Sequence, residues 1–206
     1  MIEDLVEETV AVRGREVRLL RPRDSEALLD EDAFEHEEYL PYWAELWPSA
    51  LALADAVAAR ALRGARTLEL GCGLGLPSVA AALAGGRALA TDWSTDALAF
   101  VRRNAERNGV RVETERCAWA QAEGLVARGP WDLVLASDVL YERRNVDELL
   151  ALLPELVGQR GEVWLTDPGR APSEAFLAGA DERFERRSDR RAGSASVTLH
   201  RLRARR

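Results

Sequence analysis

The stretch Leu68-Glu69-Leu70-Gly71-Cys72-Gly73-Leu74-Gly75 closes a short apolar run and opens a helix-forming one. Thr67–Leu70 reads as a buried strand, and Pro77–Ala84 as a helix with its proline near the first turn. The alternate glycines between them let the backbone take positive φ and approach a ligand with no Cβ in the way. Ala88–Thr91 reads as the next strand and runs into Asp92. Strand, glycine turn, helix and a second strand ending in a carboxylate make up the first half of a nucleotide-binding α/β unit.

The same alternation continues outward. Ser94–Asn108 is amphipathic, with Ala97, Leu98, Val101 and Ala105 on one face and Asn108-Gly109 as its stop. Val110–Glu115 and Trp131–Ala136 read as strands, Val146–Val157 as a helix ended by Gly158, Glu162–Thr166 as a strand and Pro172–Ala178 as a helix. Phe184–Arg187 and Ser196–Leu202 are final strands with no helix between them, hence an antiparallel hairpin at one edge. These elements predict an α/β fold: a doubly wound, mostly parallel seven-stranded sheet covered on both faces. Upstream, Glu8–Leu20 reads as a small β-hairpin turning at Arg13-Gly14-Arg15, Ser25–Leu29 as a single helical turn, and Ala50–Leu62 as a buried helix behind Pro48. The expected organisation is an N-terminal hairpin and acidic segment over residues 1–40 and the α/β domain over 41–206.

A chain of 206 residues with 47% apolar content suits one globular domain with a small addition. No apolar run nears the roughly 18 residues of a membrane span, and the acidic start lacks a signal-peptide pattern, so no membrane association and a cytoplasmic location are expected. Cys72 and Cys117 are too few for a disulfide framework or zinc ribbon, and His36 and His200 have no partner at ligand spacing, so no metal is expected. A net charge of −7 argues against nucleic acid as a partner. Asp24 to Asp55 holds ten carboxylates and no basic residue. Its Asp24–Glu45 part is expected to lie over the mouth of the site, as a steering surface for a cationic partner or as a solvated lid. Every basic side chain is arginine, as in proteins of GC-rich bacterial genomes.

Two cofactors share the glycine-turn geometry, and a ligand-free turn is a third reading. A dinucleotide loop, G-x-G-x-x-G, places a pyrophosphate on a helix N-terminus. Counted from Gly71 its third glycine falls at Leu76, and from Gly73 at Ser78. The observed loop instead opens with Glu69. S-adenosylmethionine carries no phosphate; its amino group and sulfonium are cationic and suit nearby carboxylates.

Leu68–Gly75, Thr91-Asp92 and Leu135-Ala136-Ser137-Asp138-Val139-Leu140-Tyr141-Glu142 resemble the motifs of class I, seven-β-strand S-adenosylmethionine-dependent methyltransferases. With Pro41-Tyr42-Trp43-Ala44-Glu45-Leu46-Trp47-Pro48, the chain is similar to the methyltransferase-16 group. That group includes protein-lysine methyltransferases of the electron-transfer-flavoprotein β-subunit type and bacterial members described as nicotinamide N-methyltransferase-like. The resemblance spans about Pro41–Thr166 and implies a Rossmann-like fold with S-adenosylmethionine as cofactor. It implies that Glu69, Gly71, Cys72, Gly73 and Gly75 hold the methionine moiety, that Asp92 binds the ribose hydroxyls beside Trp93, and that Trp119 lies near the adenine. Ala118 stands where the group often has an acid. Trp47 would pack near the methyl donor, with Ser137 beside the cofactor. Trp43 and Tyr141 would touch the substrate, and Asp138 and Tyr141 would face the methyl acceptor as catalytic residues. The expected acceptor is a lysine of a protein. A small amine or pyridine-type nitrogen and a non-catalytic cofactor-binding protein are the alternatives.

Overall fold

The computed structural model describes residues 2, 4–28, 41–191 and 196–205. A hairpin of β1 (Leu5–Val12) and β2 (Arg15–Pro22) comes first. Its two-residue turn has positive φ at both Arg13 (52°) and Gly14 (78°), the twist that suits a tight antiparallel connection. A single 3-10 turn follows at Glu26–Leu28, and another at Tyr42–Ala44. Then come α1 (Pro48–Ala58), β3 (Arg66–Leu70), α2 (Leu76–Leu83), β4 (Arg87–Asp92), α3 (Thr95–Arg107), β5 (Val112–Arg116), α4 (Glu123–Ala127) and β6 (Trp131–Ser137). The chain continues through α5 (Arg143–Leu156), β7 (Val157–Asp167), α6 (Ser173–Arg183), β8 (Phe184–Arg191) and β9 (Val197–Ala204).

The seven strands β3 to β9 form one sheet in the order β5-β4-β3-β6-β7-β9-β8. The pairs among β3–β7 are parallel; β9 enters antiparallel between β7 and β8, leaving β8 at the edge. The chain leaves β3 toward β4 on one side and later returns to β6 on the other, so the topological switch lies at the carboxyl end of β3. This is the expected doubly wound sheet with its C-terminal antiparallel hairpin and small N-terminal hairpin.

Strand alternation divides the core into two layers. Leu133 and Leu135 of β6 face α1, α2 and α3 through Leu53, Val57, Leu76, Val79 and Val101. Val134 and Ala136 face the other way, onto Leu149, Leu153 and Phe176 of α5 and α6. The hairpin joins the first layer through Val12, Val17 and Leu19. Trp131 and Trp164 are core residues, as their place in strands suggests.

Element boundaries differ from expectation where tertiary contacts override local pattern. Gly158 lies within β7, because Val157 pairs with Trp131 and the backbone turns extended directly at the end of α5. α1 spans Pro48–Ala58 and stops short of Leu62. The 3-10 turn Trp119–Gln121 and α4 carry no clear periodicity in sequence. Among the described residues, no helix is long and apolar enough to cross a membrane, and no group of three or more potential metal ligands comes together.

Asn104 of α3 ties the hairpin to the glycine loop. Its Oδ1 accepts from Leu20 N at 2.7 Å, and its Nδ2 donates to Leu20 O at 3.2 Å and to Leu74 O at 3.0 Å. Asn104 is fully buried, so these groups have no water to fall back on. Asn104→Ala is expected to lower unfolding stability by about 2–4 kcal/mol, the cost of orphaning buried backbone groups, read from urea denaturation.

Candidate functional site

At the carboxyl ends of β3, β4 and β6 the chain encloses a cavity of about 400 Å³, within the usual range for small-ligand sites. Its floor is the glycine loop. Gly71, Gly73 and Gly75 have φ of 63°, 49° and 76°. A Cβ on Gly75 would lie 2.7 Å from Val101 Cγ2, one on Gly73 would lie 3.1 Å from the Trp43 carbonyl oxygen, and one on Gly71 would lie 3.2 Å from Val139 Cγ1. Only glycine satisfies both the conformation and the space at Gly75. The loop is pinned by Cys72 N donating to Thr91 O at 2.9 Å and Gly75 N donating to Cys72 O at 2.8 Å.

Asp92 ends β4 and is buried. Its Oδ2 accepts from Gly73 N and its Oδ1 from Ser94 N, each at 3.0 Å, so one carboxylate joins the loop to the start of α3. Burial raises its pKa above the ordinary aspartate value, opposed by those hydrogen bonds.

Glu69 does not line the cavity; it lies beneath the loop. Its Oε2 accepts from Ser78 N at 2.9 Å and Ser78 Oγ at 2.5 Å, capping a helix whose N-cap residue, Gly75, provides no side-chain cap. Among the described residues its buried Oε1 has no partner, and burial pushes the Glu69 pKa up to about 8. This argues against a phosphate at the helix start. The N-terminus of α2 that would receive a pyrophosphate is already met by a carboxylate, and Pro77 has no N–H to offer. A glycine cradle edged by Asp92, with no free helix end to receive a phosphate, fits a ligand that carries an amino group and hydroxyls in place of a phosphate.

The remaining expected residues converge on the same cavity: Cys72, Trp93, Ala118 and Trp119 on one side, and Trp43, Trp47, Ser137, Asp138 and Tyr141 on the other. Trp119 packs against Gly71, and Trp43 tilts against Phe100 with ring centroids 5.4 Å apart. Tyr42 stacks edge-on to both Trp47 and Tyr141, at 6.3 Å and 5.7 Å. Among the described residues, Tyr42 and Tyr141 are the large apolar side chains most open to solvent, at 44% and 39%. Burial of its hydroxyl end pushes the Tyr141 pKa up to about 12, with a hydrogen bond from Asn145 opposing. The acidic run expected over this mouth falls mainly at residues 29–40, outside the described residues. Glu45, at its end, lines the cavity and accepts from Ser25 Oγ at 2.6 Å.

Asp138 follows β6 with φ of 58°, a left-handed conformation that aspartate tolerates and that is common at functional turns. Its side chain is buried and both oxygens are engaged: Oδ1 accepts from Arg170 Nε at 2.5 Å, Oδ2 from Ser49 Oγ at 3.3 Å. Neither Arg170 nor Ser49 stands out in the sequence. The Asp167-Pro168-Gly169-Arg170 turn at the end of β7 was the available signal, because it falls on the same sheet edge as Asp138.

Two outcomes follow. Gly75→Ala is expected to destabilise by about 1–3 kcal/mol, combining left-handed strain with the Val101 overlap, and to weaken cofactor binding in titration calorimetry. Glu69 binds its proton more tightly folded than unfolded. Its contribution is therefore full below pH 4.5 and is lost as pH rises toward about 8. The limiting slope is about 1.4 kcal/mol per pH unit. Between pH 5 and 8, melts of Glu69→Gln should lose less stability than those of the unchanged chain.

Comparison with known proteins agrees with this geometry. The methyltransferase-16 family, described as lysine methyltransferase, matches residues 36–182. The electron transfer flavoprotein beta subunit lysine methyltransferase of Xenopus laevis is 36% identical over 137 residues, covering 64% of this chain and 54% of the relative. EEF1A lysine methyltransferase 3 of Mus musculus is 31% identical over 170 residues, covering 79% and 72%. The chain spans about half the length of the flavoprotein-directed relatives it matches, 54% and 52% in two species. In fold, it superposes on the Thermus thermophilus 16S rRNA N2 G1207 methyltransferase, solved with AdoMet and guanosine, with a TM-score of 0.70 at 15% identity, covering 98% of this chain and 51% of that one. The chain belongs to the lysine methyltransferase family.

Proposed function

We propose that this protein is an S-adenosylmethionine-dependent N-methyltransferase acting on a lysine side chain of a protein. The observation that carries the reading is one cavity joining a glycine floor edged by Asp92 to an aromatic mouth with Asp138 and Tyr141 at its wall. Gly71–Gly75 would hold the methionine moiety, Asp92 the ribose hydroxyls, and Trp93 and Trp119 the faces of the adenine. Ala118 offers no side-chain hydrogen bond to that ring. When bound, the cofactor supplies a methyl group on a sulfonium, displaced in line by a lone pair.

The chain's own task is to deliver a neutral amine along that line. A free lysine amine has a pKa of about 10.4, so its neutral form lies roughly 4–5 kcal/mol uphill at pH 7. Tyr42, Trp47 and Tyr141 strip water from the nitrogen, which lowers that cost. Tyr141, with its raised pKa, remains a phenol at neutral pH, so it orients the nitrogen by hydrogen bonding and does not act as an anionic base. Asp138 accepts a hydrogen bond from the amine and aims its lone pair, and takes the proton shed during or after transfer. Tyr42, Glu45 and Tyr141 at an open mouth suit a long side chain projecting from a protein surface, and a net charge of −7 suits a lysine-bearing partner better than nucleic acid.

The test is radiolabelled S-adenosylmethionine with lysate of the source organism. Label is expected in a protein band; label confined to the small-molecule fraction would transfer the reading to a small amine. The chain has no lysine of its own to confuse the result. Asp138→Asn should lower kcat by about 10²-fold or more and Tyr141→Phe by about tenfold, each with a nearly unchanged cofactor affinity.

A further inference from the structure

We propose that Arg170 is a positioning residue of the transfer site, its guanidinium holding the Asp138 carboxylate and the Trp47 ring in register with the methyl acceptor. The proposal rests on the methyltransferase reading given above. It assigns a role to the loop between β7 and α6, which contributes nothing to the cavity lining itself.

Arg170 makes two contacts with site residues from behind the cavity wall. Nε donates to Asp138 Oδ1 at 2.5 Å, and the guanidinium carbon lies 5.6 Å from the centroid of the Trp47 ring. Trp47 is in turn fixed by Nε1 donating to Tyr42 O at 2.9 Å. One cation therefore spans the acceptor carboxylate and the aromatic mouth, two groups 91 positions apart in the chain (138 − 47). A planar guanidinium can do both at once, bonding in its plane and stacking on its face.

The loop is built to present that side chain. Asp167, buried at the end of β7, accepts through Oδ1 from Gly169 N at 2.6 Å, Arg170 N at 3.1 Å and Ser173 Oγ at 2.5 Å. Gly169 takes φ of 90°, which turns the chain back toward β6. This Asx-type turn fixes the backbone of the loop at Arg170. Asp138 is also held from its other sides, by Ser49 Oγ on Oδ2 at 3.3 Å and by its own N–H to Thr166 O at 2.9 Å.

The pairing changes what Asp138 can do. An uncompensated carboxylate in a desolvated pocket attracts the acceptor as ammonium, which has no lone pair to attack with. Met by a guanidinium, the same carboxylate keeps a hydrogen-bonding direction while its charge is largely answered. Arg170 turns Asp138 from a trap for the cation into an aimed acceptor.

The experiment is a double-mutant cycle on the full chain. The label-transfer assay is run for the unchanged chain, Arg170→Gln, Asp138→Asn and the double variant, with S-adenosylmethionine affinity measured by titration calorimetry for each. Arg170→Gln is expected to lower kcat by about tenfold while cofactor affinity stays within about threefold. The double variant should be no slower than the slower single, because the two residues act as one unit. Should the Gln chain fail to bind cofactor or to melt cooperatively, Arg170→Lys takes its place; it should transfer methyl more slowly than arginine with cofactor affinity retained. An Arg170 variant that binds cofactor and turns over at the unchanged rate overturns the proposal, as does a double variant whose losses simply multiply. An unchanged chain that binds cofactor but labels no protein overturns the lysine-methyltransferase reading and this inference with it; unchanged labelling with a silent Arg170 variant overturns the inference alone.

Discussion

The close approach of the glycine loop to its neighbours governs the site. At Gly75 the backbone is left-handed and lies so near Val101 that a methyl group would overlap it. The chain therefore reverses from strand to helix in five residues, and Asp92 on the adjacent strand comes within reach of Gly73 N. Ser78 is brought over Glu69 by the same reversal, so the strand caps the helix that follows it. Cavity floor, buried acids and helix start all follow from this one turn.

Buried carboxylates are handled in two ways along this sheet edge. Among the described residues, Glu69 and Asp92 have no cation bonded to them; they rest on N–H and O–H donors, and burial shifts both toward the neutral form. Asp138 has an arginine and a serine. The difference suits the two ends of a transfer reaction. At the donor end, an Asp92 carboxyl bonded to N–H donors and not to a cation would be left to accept from a ligand's hydroxyl groups. At the acceptor end, unanswered negative charge would hold a lysine in its unreactive form.

Much of the fold was legible because most strands run into recognisable turns and the longer helices such as α3 show an apolar face, here Ala97, Leu98, Val101 and Ala105. Site residues were legible where they sit at strand ends next to motifs: Asp92 after β4, and Ser137 with Asp138 after β6. Glu69 was recognised as part of the loop motif, yet its side chain points under the loop to Ser78, a direction that depends on the pleat of β3 and the placement of α2. Arg170 and Ser49 were not legible, because their importance comes from a partner 32 and 89 positions away. The long β7 was hidden for a related reason: Val157 becomes strand only by pairing with Trp131.

Asn104 gives the hairpin a stake in the chemistry, although its strands belong to a separate two-stranded sheet. The same amide holds Leu20 of the hairpin and Leu74 of the loop. A ligand that settles the loop stabilises the arrangement Asn104 completes, and by linkage that free energy is shared with whatever else Asn104 holds. The backbone amides of β2 thus become an occupancy gauge: their hydrogen exchange slows as the cofactor cavity fills, which makes binding observable at a surface that no substrate needs to touch.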